Sequence, residues 1–451
     1  MQLDWKGLTI RRMPFTRSLT TLFLPLAFNV ANCLVLPPAL CGQSKPVRVI
    51  GTIHSSGQQR FSEAQVVAAS GLRSGQEFDV NAVQAAVEKL GQSGAFDEVQ
   101  FKYQPENGRM AVEFLVKEAG RFHRCIYDNL VWGSTKEMED FVHSELPLFD
   151  GFAPEGGSLP DEISGAIEHF LQQRGISGHV ERVQFKRSIT TLDWEHLYSV
   201  RGPLVTVQSI LFEGVNGIDE GLLQKEAKPL IGRSYSFVEF RRYGEASFLP
   251  VYRERGYLRA QIDDPVAQLS KQVQGPSEFA TDVTYRLKEG LAYDWEATKW
   301  SGNEAKASKE LDVVLGMKLG ERANGLKIDA GWEAIQAVYG KSGYLDVRLK
   351  PQPVYDEANR RVEYRAEVSE GSQYRMGTFS IGGLPPANIE NLKSKWKLRI
   401  GDVYDASYMK EFLQKQLPSE LQAFRGRTPK ILTKIQPDRT AHIVHVSIQV
   451  Q

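Results

Sequence analysis

Residue types able to do chemistry are present in this sequence, but not at the spacings that chemistry requires. There is no Gly-x-Ser-x-Gly elbow, no glycine-rich phosphate loop, no His-Glu-x-x-His and no cysteine pair at zinc spacing. His442 and His445 stand three apart in an alternating run that reads as a strand from His442 to Val450, so their side chains point to opposite faces and do not share a metal. Glu118, Glu289 and Glu370 recur at comparable places with no nucleophile or base beside them, which points to a repeated structural contact at unit junctions and not to acid/base work. The sharpest charge feature is Lys393, Lys395, Lys397 and Arg399, interleaved with Trp396 and Leu398. Such a run fits a solvated face with one buried aromatic, and it is also the composition that meets an acidic partner or anionic lipid. The expectation is a protein without catalytic residues, metal or other cofactor.

What remains is the chemistry of the backbone, and that depends on the elements carrying it. Between Val47 and Glu118, Val49 and Ile53 begin a strand, and Phe61 to Ser70 has helical apolar spacing closed by Gly71. Asp79 is an N-cap for a second helix with Val83, Ala86, Val87 and Leu90 on one face. Val99, Phe101 and Tyr103 then alternate with polar residues, Asn107-Gly108 makes a hairpin turn, and Val112, Phe114 and Val116 alternate again. The order is β-α-α-β-β. Two helices cover one face of a three-stranded mixed sheet, an α+β unit of roughly 70 to 80 residues that gains from stacking on copies of itself.

The run Gly75-x-x-Phe78, the helix ending at Leu90, the turn Gly94-Ala95-Phe96 followed by Val99, and the closing Val116-Lys117-Glu118 resemble a polypeptide-transport-associated (POTRA) domain. Later stretches repeat these features, with Gly232-x-x-Tyr235 and Gly401-x-x-Tyr404 in the place of Gly75-x-x-Phe78. The turn glycines Gly94, Gly175, Gly256 and Gly343 lie 81, 81 and 87 residues apart, the mark of a tandem array. We place the units at 47–119, 120–202, 203–290, 291–371 and 372–451. The second carries an extra Gly/Pro-rich loop from Phe149 to Gly157, and the fifth replaces the Gly-aromatic turn with Pro418 and Phe424 to Arg427.

The 55 basic and 55 acidic residues cancel, which gives no global attraction to nucleic acid. Residues 1–42 read as a secretory signal peptide or signal anchor: Arg11, Arg12 and Arg17 precede the apolar run Leu19 to Phe28, and Ala39-x-Cys41 is a cleavage site. With that leader removed Cys125 is the only cysteine, expected to be buried and unpaired. A transmembrane barrel needs at least about eight strands of about ten residues; the reading is an arm without a barrel.

The resemblance implies a periplasmic, non-enzymatic scaffold in outer-membrane protein assembly or export, whose partners are extended outer-membrane protein segments or a barrel protein. Membrane contact is expected only through a retained N-terminal segment. In this topology the second strand of each unit lies at the sheet edge, so Val99, Phe101 and Tyr103, Leu258 and Ile262, and Leu345, Val347 and Leu349 are the candidate peptide-binding positions by β-augmentation. Asp346, Arg348 and Lys350 read as edge protection. The alternative is a membrane-anchored structural envelope or division protein making fixed protein contacts.

Overall fold

The structure, a computed structural model, describes residues 48–186, 193–273, 278–421 and 429–451. The signal-peptide reading of residues 1–42 lies outside the described residues. In the first unit β1 (Ile50–Ser56) leads to α1 (Glu63–Ser70), α2 (Val80–Gln92), β2 (Phe96–Glu106) and β3 (Arg109–Glu118). Ser62 and Gln65 form a capping box at the start of α1, and Gly71 ends it at φ 77°. Asp79 caps α2 through the Asn81 N–H. Asn107 and Gly108, at φ 48° and 76°, turn the β2–β3 hairpin. The strand order is β1-β3-β2, with β3 parallel to β1 and antiparallel to β2. Ile50, Val66, Val83, Leu90, Val112 and Phe114 are buried between this sheet and its two helices, and burying each stabilises the fold by about 2 kcal/mol.

The same plan recurs four times. The second unit has β4 (Phe122–Tyr127), α3 (Thr135–Glu145), β5 (Phe152–Pro154), α4 (Leu159–Gln172), β6 (His179–Lys186) and β7 (Trp194–Arg201). The third has β8 (Leu204–Glu213), α5 (Glu220–Ala227), α6 (Phe237–Tyr243), α7 (Leu249–Glu254), β9 (Gln261–Ile262), β10 (Val266–Val273) and β11 (Glu278–Lys288). The fourth has β12 (Asp294–Ser301), α8 (Ser308–Leu315), α9 (Gly325–Lys341), β13 (Arg348–Asp356) and β14 (Arg361–Ser369). The fifth has β15 (Arg375–Gly382), α10 (Pro386–Lys395), α11 (Tyr408–Lys415), α12 (Leu417–Glu420), β16 (Ile431–Asp438) and β17 (Ile443–Val450). The turn glycines at 94, 175, 256 and 343 all have φ between 74° and 87°, the left-handed backbone that leaves a helix and enters a strand at once.

Three expectations are corrected. Units two and three have four strands, not three. In unit two the extra strand is β5, inside the stretch from Phe149 to Gly157 that reads as loop, where it pairs with β4. In unit three the second strand is interrupted at Asp263, Asp264 and Pro265, so β9 and β10 pair separately with β11; proline cannot donate to a ladder, and the strand breaks there. Finally, His442 lies in the hairpin turn at φ 52°, ahead of β17 and outside it.

Candidate functional site

A strand offers itself to another chain through the residues whose N–H and C=O point away from its neighbour, and these alternate along the strand. Pro105 in β2 pairs with Met110 of β3, and because it has no N–H it occupies an outward position. Tyr103, Phe101 and Val99 share that parity. Their side chains lie over the helix face, opposite the buried Val112, Phe114 and Val116, and leave Tyr103 47% exposed. Phe78 approaches Tyr103 with ring centroids 5.0 Å apart, and Phe101 stacks on Tyr103 at 6.2 Å. The open edge therefore runs beside an aromatic rim. The other edge of the sheet is partly closed: the Gly75 N–H donates to Ile50 O and the Phe78 N–H to Arg48 O, forming a bridge at Val49–Glu77. Equivalent bridges at Thr206–Ser234, Asp294–Arg322 and Arg375–Val403 cover the start of the first strand in units three, four and five.

The remaining candidates are placed differently. Leu258 and Leu345 sit in the turns that precede the second strands, not in the strands. Leu258 packs on the core of unit four, and Leu345 on that of unit five. At these junctions the Tyr293 N–H donates to Gly256 O at 2.9 Å, and the Tyr374 N–H to Gly343 O at 2.8 Å. The Gly-Tyr-Leu turn thus joins consecutive units. Ile262 is in β9, with its Cδ1 turned toward Gly244 and the helix layer. Val347 is buried just ahead of β13, and Leu349 lies within it. Pro351 and Pro353 stand opposite Ala366 and Tyr364, so two outward positions of β13 have no donor and the strand is a poor template. These prolines protect the edge in addition to Arg348 and Lys350.

The edge that sequence reasoning missed is β16. Lys430 and Gln451 exchange both backbone hydrogen bonds at 2.8 and 2.9 Å, which fixes even-numbered residues inward and Ile431, Thr433 and Ile435 outward. Every residue of β16 is exposed, Ile435 by 45%. Its partners Val446, Ile448 and Val450 are buried, so the isoleucines continue the core face beyond the helices. The alternation of Ile431, Thr433 and Ile435 was the available signal.

The recurrent glutamates are structural, but they act inside their own units. Glu118 accepts from the N–H groups of Gln59, Arg60 and Phe61. Glu289 accepts from Asn216 and Gly217 and from the Tyr252 hydroxyl, and Glu370 from Ala305 and the Tyr339 hydroxyl. Each closes the loop between first strand and first helix. In the basic run, Lys393 pairs with Glu390 at 3.0 Å and Lys395 with Glu420 at 3.1 Å, while Trp396 stacks on Phe379 with centroids 3.7 Å apart.

Unit two buries a cysteine, a histidine and a glutamate. Cys125 is buried, as expected, and burial pushes its thiol well above the usual range. His196 is wholly buried, with Nε2 donating to Pro154 O at 3.0 Å and Nδ1 facing Arg182 Nη1 at 3.4 Å. Glu195 of β7 lies 3.7 Å from Arg241 of α6, an ion pair between units two and three that is more than nine-tenths buried. His445 Nδ1 accepts from the Thr378 N–H at 3.1 Å, and the His442 ring packs edge-on against Tyr374, so the two histidines are engaged apart.

The family model of POTRA, described as surface antigen variable number repeat, matches residues 49–119 and 293–371. These are the first and fourth units. These two units are POTRA domains by this match, and the other three repeat their plan of strands and helices. A Treponema pallidum (strain Nichols) protein that carries the name of an outer membrane protein assembly factor is 23% identical over 288 residues, 64% of this chain and 31% of its own. The chain therefore spans about a third of that relative's length. Among solved structures, Haemophilus influenzae BamA POTRA3-5 is similar with a TM-score of 0.42 and 22% identity over 55% of this chain and 96% of its own. The N-terminal domain of Omp85 from Thermosynechococcus elongatus is similar at 0.19 and 13%, over 73% and 100%. Among the described residues no helix is long and apolar enough to cross a membrane.

Proposed function

We propose that this POTRA array is a non-enzymatic periplasmic scaffold in outer-membrane protein assembly or export. It binds extended segments of outer-membrane proteins by adding them as a strand to β2 of the first POTRA domain and β16 of the fifth. The observation that carries the reading is the outward backbone of Val99, Phe101 and Tyr103, at an edge unprotected over those residues and flanked by Phe78. Main-chain pairing there reads shape more than sequence, and the aromatic rim gives alternate apolar side chains of the guest a surface. The POTRA matches and the name of the Treponema relative support the assembly context.

Binding of a fluorescein-labelled ten-residue peptide with alternating apolar and polar residues tests the reading by anisotropy. Phe101→Pro removes one outward N–H at a parity where Pro105 already sits, leaving the β2–β3 ladder intact. It is expected to weaken binding by about tenfold or more, from one lost main-chain hydrogen bond of about 1 kcal/mol and the lost aromatic contact. Leu349→Pro, on the protected edge of β13, is expected to change nothing. Equal losses from both variants, or from neither, would sink the proposal.

A further inference from the structure

A second surface lies away from the strand edges and follows from a repeated turn. In units three, four and five the residue before the turn glycine of the β1-edge bridge is aliphatic and exposed: Ile231 by 46%, Leu319 by 76% and Ile400 by 77%. In unit one that residue is Ser74. The turn is held rigidly, because the Gly401 N–H donates to Met376 O at 2.8 Å and Arg375 Nη1 donates to Gly401 O at 2.8 Å. Ile400 is thus presented to solvent by a built turn, at the cost of leaving most of its apolar surface wet.

The charges around the three tips differ. At unit four, Arg322 is paired with Asp294 and Lys327 with Glu321; at unit three, Arg233 is paired with Glu239. At unit five, Lys397 and Arg399 are exposed and make no ion pair with any described residue, whereas Lys393 and Lys395 of the same run are neutralised by Glu390 and Glu420. Asp402 accepts from the Arg399 backbone N–H at 2.7 Å, and Glu411, paired with Lys415, feels the Lys397 charge without an ion pair to it. Arg375 adds a third cation at the turn.

We infer that the Ile400 tip of the fifth unit docks on an anionic lipid surface, with Ile400 entering the headgroup layer and Lys397, Arg399 and Arg375 meeting lipid phosphates. A single aliphatic side chain on a convex turn has no concave wall to complete. A fluid headgroup layer moulds to such a tip, while a folded partner would need a pocket of matching shape. Unpaired cations flanking an apolar point match the charge of that layer and reinforce its insertion. The inference does not depend on the strand-edge reading.

Co-flotation of the full chain with vesicles of 30% phosphatidylglycerol in phosphatidylcholine, against phosphatidylcholine alone, tests it. Hydrogen exchange across residues 396–404 supplies the local readout. The anionic vesicles are expected to hold more protein, to release it at high salt, and to protect 396–404. Each flanking cation is expected to account for about a fivefold change in partitioning, so Lys397→Gln with Arg399→Gln lowers it about 25-fold. Ile400→Ser, at an exposed site that leaves the fold intact, lowers it about tenfold. Equal binding to neutral vesicles, protection confined to the N-terminal segment, or unchanged binding by both variants would overturn the inference. Protection of 396–404 by a periplasmic protein extract and not by vesicles would assign the tip to a protein partner and overturn it equally.

Discussion

Lowering the pH from 7 to 4.5 is expected to loosen the second domain selectively, through His196. Its ring is wholly buried, held neutral between Pro154 O and the Arg182 guanidinium, with His123 5.7 Å away. Burial first, and the Arg182 cation next, push its pKa down from 6.5 to about 4. The folded value lies below the unfolded one, so the unfolded chain takes up the proton first. The stabilisation is complete above pH 6.5 and is lost as pH falls toward 4. A difference of about 2.5 units corresponds to about 3 kcal/mol in full, of which about 2.5 kcal/mol is gone at pH 4.5. Amide exchange, corrected for intrinsic rates, should show protection in β6 and β7 falling by about that amount while β13 and β14 keep theirs. A His196 ring that titrates near 6.5 by NMR, or equal loss of protection in both domains, would refute the reasoning.

Removing one partner of the buried Glu195–Arg241 pair strands a charge between the second and third domains. Arg241→Met is expected to destabilise that junction by about 3–5 kcal/mol, and Glu195→Leu with Arg241→Met to recover most of the loss, measured as a double-mutant cycle in denaturant. Gly343 has φ 84°, and a Cβ there would stand 2.8 Å from Tyr374 O. Gly343→Ala should broaden the spin-label distance distribution between domains four and five while leaving each domain's circular dichroism unchanged; an unaltered distribution counts against the Gly-Tyr-Leu turn as the junction. Glu370→Gln weakens a charged acceptor of the Ala305 N–H and the Tyr339 hydroxyl and is expected to cost domain four about 1–2 kcal/mol in thermal unfolding.

The repeated elements were legible because local chemistry decides them. Asp79, Gly71 and Asn107-Gly108 cap and turn the chain wherever their neighbours lie, and the turn glycines recur because only glycine takes that backbone without strain. The second strands of domains three and four were misjudged for a tertiary reason: Leu258 and Leu345 have the apolar character of strand residues, but the next domain's core takes them. The strand β5 is three residues in a Gly/Pro-rich stretch, too short for periodicity to reveal. Edge protection was half legible, since Arg348 and Lys350 announce it while the stronger device, Pro351 with Pro353, acts through the parity of their missing N–H groups. The Glu195–Arg241 pair left no trace, because nothing in either residue's local sequence signals a partner in another domain.

The proposed function requires that the outward backbone of β2 and β16 receive an extended guest. Residue-resolved amide exchange of the full array with and without the alternating peptide tests it most directly. The account predicts new protection at Val99, Phe101 and Tyr103, and at Ile431, Thr433 and Ile435, with none gained at Gln100 and Lys102, whose amides already face β3, and none at Leu349. Protection spread evenly along β2, or gained at the domain junctions and not at its outward residues, would contradict it.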